Sequence, residues 1–140
     1  MSRERFLLDA TFIAGYLNPR DQHHAKAQEC MPRVEQAVEV VVTEAVLVEI
    51  GNLLHSHQHR ARAAEFIQAC YSSHNITVVS VSTALLKRAV EHYHQHADKD
   101  WGLTDCISFV VMRDSGLTTA VTADGDFEQA GFRALMLEPS

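Results

Sequence analysis

Nothing in the sequence runs apolar for the roughly 20 residues that a membrane-spanning helix needs. The opening stretch MSRERFLLDA (Met1–Ala10) also lacks the apolar segment and small-residue cleavage site of a secretory signal. No membrane association is expected, and the cytoplasm is the expected location. Cysteine is scarce: Cys30, Cys70 and Cys106 are odd in number, widely spaced and without a CxxC pair. They read as buried or free thiols in a reducing compartment, not as a disulfide framework. Positive charge is in deficit, with 12 Lys and Arg against 18 Asp and Glu and a formal net charge of −6. That balance argues against a protein that coats nucleic acid through its phosphates. It leaves room for an acidic site that meets phosphate through metal ions. Internal repeats and low-complexity stretches are absent too. What remains, 46% hydrophobic and 21% charged over 140 residues, predicts one globular domain spanning 1–140.

Short apolar runs alternate with helical patterns. Phe6–Leu8 predicts a strand buried on both faces, ended by Asp9. A helical pattern from Thr11 to Leu17 stops at Asn18-Pro19, and a polar helix is expected over about 21–38. Val40–Val42 reads as a second strand, with Thr43 capping a helix from Glu44 to His57. Further helices are expected over Arg60–Ser73, from a Ser82 cap to His96, and over Thr104–Asp114, the last closed by Gly116. Strands are expected at Ile76–Val81 and Leu117–Thr122. A short helical turn near Asp126–Ala130 and a terminal strand Arg133–Leu137 complete the chain. With no hairpin signal between strands, this order predicts an α/β fold, a three-layer α/β/α sandwich around a mainly parallel sheet. Ligands of such sheets sit at the carboxyl ends of the strands. Asp9 and Asp124 each follow a predicted strand directly.

Asp9, Glu49, Asp105 and Asp124, with Asp126 as a fifth acid, form the candidate site. Each has an ordinary explanation when taken alone. Asp9 can cap the next helix, Thr104 or Asp105 can cap the helix that follows them, and Asp124-Gly125-Asp126 can be a turn. Glu49 lies about 40° from Leu53 and about 60° from Val46 on the helical wheel, on the flank of the apolar stripe. Glu44 lies on the opposite flank, so periodicity leaves the two open. The ordinary explanations do not predict that all these acids collect at one edge of one sheet. Two unit charges ~4 Å apart repel by about 4 kcal/mol at an effective dielectric of 20. A hard divalent cation relieves that repulsion, and an all-oxygen donor set favours Mg²⁺ or Mn²⁺. The chemistry expected is in-line attack on phosphorus by metal-activated water, with no covalent enzyme intermediate.

The stretches LLDATF (Leu7–Phe12), VVTEAVLVEIGNLL (Val41–Leu54), DKDWGLTDCISFVVMRDSG (Asp98–Gly116) and TADGDFEQAGFR (Thr122–Arg133) resemble the PIN-domain nucleases. Among these they are most similar to the VapC-type toxin endoribonucleases of toxin–antitoxin pairs. The resemblance implies that Asp9, Glu49, Asp105 and Asp124 are the catalytic acids, which picks Glu49 over Glu44. It implies that Asp9, Asp105, Asp124 and Asp126 hold the metal, with Thr11 and Thr104 in support. Relatives commonly have Ser where this chain has Gly102, so no hydroxyl is counted there. Metal-dependent cleavage of structured RNA (often transfer or ribosomal RNA), a cognate antitoxin and a homodimer are further implications.

Nine histidines invite a metal reading, and His55/His59 and His92/His96 have i, i+4 spacing. No Cys or Glu completes either set, so solvated helix faces are expected. Arg60, Arg62, Lys87, Arg88 and Arg113 are the candidate RNA-phosphate contacts. Trp101 precedes an apolar helix and reads as core before it reads as a base-stacking residue. A competing reading is a catalytically weak PIN module that binds RNA or a protein, which the full set of acids disfavours. An aspartyl-phosphate phosphatase using Asp9 lacks the second acid at Thr11 and the nearby Lys that such chemistry wants.

Overall fold

The structure, a computed structural model, describes residues 2–140. Its fold is set by period-two alternation in strands whose two faces are both apolar. In β1 (Arg5–Leu8), Phe6 and Leu8 join one core and Leu7 joins another; in β2 (Glu39–Thr43), Val40 and Val42 separate from Val41 in the same way. The first core is filled by α1 (Ala10–Leu17), α2 (His24–Gln36), α3 (Glu44–Leu53) and α4 (Arg60–Ser72). The second is filled by α5 (Thr83–Gln95), α6 (Leu103–Ser115) and α7 (Asp126–Gln129). The result is the expected α/β/α sandwich.

With β3 (Ile76–Val79), β4 (Thr119–Val121) and β5 (Arg133–Ala134), the sheet has five strands in the order β3-β2-β1-β4-β5. Every pairing is parallel, so the sheet expected to be mainly parallel is wholly so. Seven successive residues of α6, Cys106–Met112, are buried. Phe109 is their hub, with its ring centroid 5.1 Å from Trp101, 4.9 Å from Phe127 and 5.8 Å from Phe132. Full burial of one such ring is worth about 2–3 kcal/mol. Gly116 closes α6 in the left-handed conformation (φ 68°), and the Leu117 amide reaches back to the Met112 carbonyl at 2.8 Å. Among the described residues, no helix is long and apolar enough to cross a membrane.

Several boundaries differ from expectation, each for a local reason. The helix expected from residue 21 begins at His24, because the Asp21 carboxylate accepts from the His23 amide at 2.8 Å and makes a turn first. α3 ends at Leu53, and a loop runs to His59, whose turn is closed by bonds from the His59 and Arg60 amides to the Ser56 carbonyl. His55 and His59 therefore share no helix. The terminal strand shrinks to two residues because Leu135–Leu137 curl into a 3-10 turn that buries Leu135 and Met136. His92, expected on a solvated face, is buried instead, stacked against His96 at 4.3 Å and Trp101 at 5.7 Å.

Candidate active site

The topology creates the site before any side chain is considered. From central β1 the chain fills one half of the sheet with β2 and β3, and β4 then opens the other half. The crevice of such a sheet lies where the strand order reverses, outside the carboxyl ends of β1 and β4. Asp9 leaves β1 there, its amide held by the Val121 carbonyl at 3.2 Å. Asp124 stands three residues beyond the end of β4.

Asp9 is 3% exposed, and its position is over-determined. It caps α1, and its Oδ2 accepts from the Thr122 hydroxyl at 2.7 Å, the Thr11 hydroxyl at 2.9 Å and the Thr11 amide at 3.4 Å. The two hydroxyls in turn accept from the Ala123 and Asp124 amides at 2.9 and 3.0 Å. With both protons directed at Asp9, the 3.1 Å approach of the hydroxyls to each other is a contact without a proton of its own. Oδ1 is left free of side-chain donors. Burial pushes the Asp9 pKa up, and the two hydroxyls pull it partly back.

Thr122, fully buried, is a site residue that the local sequence pattern does not reveal. Replacing it with Val removes a donor from a buried carboxylate and an acceptor from the Asp124 amide. The expected cost is about 1–3 kcal/mol, read as a fall in Tm of about 4 °C per kcal/mol. Thr122→Ser keeps the hydroxyl and should lose less than half as much.

Asp105, Asp124 and Asp126 converge most closely, each offering an oxygen within 4.8 Å of the others. Asp126 is brought in by a turn in which its amide donates to Asp124 Oδ1 at 2.9 Å. α6 begins two residues before Asp105, at Leu103, with Gly102 as a cap that has no side chain to offer. Neither Thr104 nor Asp105 is the cap, and no hydrogen bond ties the Thr104 hydroxyl to the acids. Burial, and then Asp9, Asp124, Asp126 and Glu49, raise the Asp105 pKa to about 7. Glu49 is raised by burial and by Asp9 and Asp124. Glu44 lies elsewhere, accepting from the Tyr71 hydroxyl at 2.6 Å. Asp126 is raised by burial, by Asp124 and by Asp100, a sixth acid in the segment that joins α5 to α6.

Asp9 and Glu49 fall outside the close trio but share its field. Among the described residues, no salt bridge reaches any of these acids. Hard oxygen donors, converging and uncompensated, fit a divalent cation.

The PIN-domain sequence model matches residues 6–133. The chain belongs to the PIN-domain family. This PIN domain is 32% identical over 126 residues to the 23S rRNA-specific endonuclease VapC20 of Mycobacterium tuberculosis, in both strain CDC 1551/Oshkosh and strain H37Rv. The match covers 89% of this chain and 93% of that one. The crystal structure of VapC20, a Sarcin-Ricin loop cleaving toxin, superposes with a TM-score of 0.80 at 30% identity, over 91% of this chain and 95% of that one. VapBC2 from Rickettsia felis, solved with a DNA fragment of its promoter, shares the fold at a TM-score of 0.62 and 11% identity, over 94% and 97% of the two chains.

The cations expected to meet RNA are spread over this PIN domain. Arg88 is held by Asp114 at 2.6 and 2.8 Å, and Arg60 bonds the His55 carbonyl at 3.1 Å. Arg62, Lys87 and Arg113 are exposed and outside the salt bridges of the described residues. Arg113 and Asp114 lie about 12–14 Å along α6 from Asp105, so neither they nor Arg88 reach the acid trio.

Proposed function

We propose that this chain is a cytoplasmic, single-domain endoribonuclease, dependent on Mg²⁺ or Mn²⁺, and the toxin of a toxin–antitoxin pair. The observation that carries the reading is the set of carboxylates gathered at the switch point of the sheet without a cationic partner. The 32% identity to a ribosomal RNA endonuclease supports RNA as the substrate. Asp105, Asp124 and Asp126 would hold the cation, with Asp9, fixed by Thr11 and Thr122, adding its charge beside them. When bound, such an ion neutralises the phosphodiester, lowers the pKa of a water and stabilises the leaving oxygen.

The protein's own residues supply the rest. Glu49, held outside the trio with a raised pKa, is suited to take the proton of the attacking water. Burial of Asp9 keeps that carboxylate dry and fixed. Arg62, Lys87 and Arg113, whose charges are uncommitted, are the proposed contacts to the RNA backbone; Arg60 and Arg88 would have to leave their partners first. A structured ribosomal RNA loop is the proposed substrate, and a cognate antitoxin and a second copy of the chain are the proposed protein partners.

The purified protein is expected to cut a hairpin carrying the 23S sarcin–ricin loop when Mg²⁺ or Mn²⁺ is present, and to stop when EDTA is added. Sequencing of RNA ends after induced expression should find the same cut in cells. Cleavage that persists in EDTA, or none in either metal, removes the reading.

A further inference from the structure

We propose that the groove between the end of α5 and the connector 97–102 is a nucleotide subsite that receives an unpaired RNA base beside the bond to be cut. This rests on the reading of the acid cluster as RNA-cleaving. The groove encloses about 450 Å³, within the range of small-ligand sites, and is lined by Tyr93, His94, Lys99, Asp100, Trp101 and Gly102. It adjoins the acids at two points. Asp100 lies close enough to Asp126 to raise its pKa, and a Cβ on Gly102 would stand 3.9 Å from Asp105 Oδ2.

Its walls suit a base. Trp101 is 6% exposed and fixed by a bond from its Nε1 to Gln129 Oε1 at 3.2 Å, so it forms a rigid side. Tyr93 is 49% exposed, and an aromatic ring left in water beside a polar groove offers a face to stack on. Asp100 can accept from the amino edge of a base, as carboxylates do. Lys99 pairs with Asp98 at 3.7 Å in an exposed contact and remains available to a phosphate at the rim. Asp100 and the neighbouring acids repel a free anion, which favours a nucleotide entering base first. A base paired within a duplex cannot splay into such a groove, so the occupant is unpaired.

The test is a fluorescence-anisotropy titration in Mg²⁺ on the Asp105→Asn background, with the sarcin–ricin hairpin and a blunt RNA duplex as probes. Tyr93→Ala should weaken hairpin binding about tenfold, the usual worth of one stacked base. Tyr93→Phe should stay within twofold, and duplex binding should not move. Lys99→Gln should lower the salt dependence of hairpin binding by about one ion. Tyr93→Ala that binds the hairpin as tightly as its parent, or that weakens hairpin and duplex equally, overturns the subsite. Wild-type protein that neither binds nor cuts the hairpin overturns the subsite together with the function. Wild-type protein that cuts the hairpin, with Tyr93→Ala binding unchanged, removes the groove alone. An unchanged Tm for Tyr93→Ala shows that lost binding is not lost folding.

Discussion

Asp105→Asn should lower RNA cleavage at least about 100-fold, the scale on which loss of one positioned charge-stabilising group is felt in an active site, while making the cation-free protein more stable. Both halves follow from one fact. Asp105 sits in the first turn of α6, half-buried, facing Asp9, Asp124, Asp126 and Glu49, with no hydrogen bond to compensate it. Its pKa of about 7, against an ordinary 3.8, follows from how poorly the folded chain accommodates the charge. Each pH unit of such a difference is worth about 1.4 kcal/mol, so the ionised carboxylate costs on the order of 4 kcal/mol. Asn has the same shape and removes that cost, but it also removes an anionic oxygen from the trio. The paired measurements are kcat/KM on the hairpin with Mn²⁺, and Tm in EDTA at pH 8. Cleavage at the parental rate, or a lower Tm in EDTA, would sink the assignment of Asp105.

How much of this was legible beforehand varies with the physics involved. The sheet was, because Phe6–Leu8 and Val40–Val42 are apolar on both faces and nothing between strands can turn a hairpin. The positions of Asp9 and Asp124 followed, since each succeeds a strand. Glu49 against Glu44 was not decided by periodicity, because both flank the same apolar stripe. The fold separates them by placing Tyr71 beside Glu44 and Asp9 beside Glu49. Thr122 was invisible because its role depends on a pairing of β1 with β4 across 113 residues. Asp100 was hidden in a run of polar residues that local pattern reads only as connector. His92 was misplaced because a helix face looks solvated until the partner that covers it is known, here Trp101. At the end of the chain the local pattern misleads for the opposite reason. Arg133–Leu137 has strand-like composition, but burial of Leu135 and Met136 beneath β4 is reached better by a tight turn.

The stability of the cation-free protein should fall as pH rises from about 5 to 7, and Mn²⁺ or Mg²⁺ should return what is lost. For Asp105 the folded pKa of about 7 lies above the unfolded value near 3.8. Between those limits the folded chain binds more protons than the unfolded one, so the free energy of unfolding declines with pH and levels off above 7. Asp9, Glu49 and Asp126 are raised too and act in the same direction. His92 acts against them: its pKa is lowered by burial, then by His96 and Arg113, so its contribution is lost as pH falls below about 6.5. The ion-paired Glu4, Glu39, Asp114 and Glu138 are lowered and matter only in more acid solution. Subtracting the Asp105→Asn curve from the parental one isolates the raised carboxylate from His92, and that difference should open between about pH 4 and 7. A cation at a hundred times its Kd adds about 2.7 kcal/mol, or roughly 10 °C in Tm at this chain length. The gain should be large at pH 8, where the carboxylates are free, and small at pH 5, where protons compete for the same oxygens. A Tm shift of equal size at both pH values, or one undiminished in Asp105→Asn, would mean that the ion binds somewhere else.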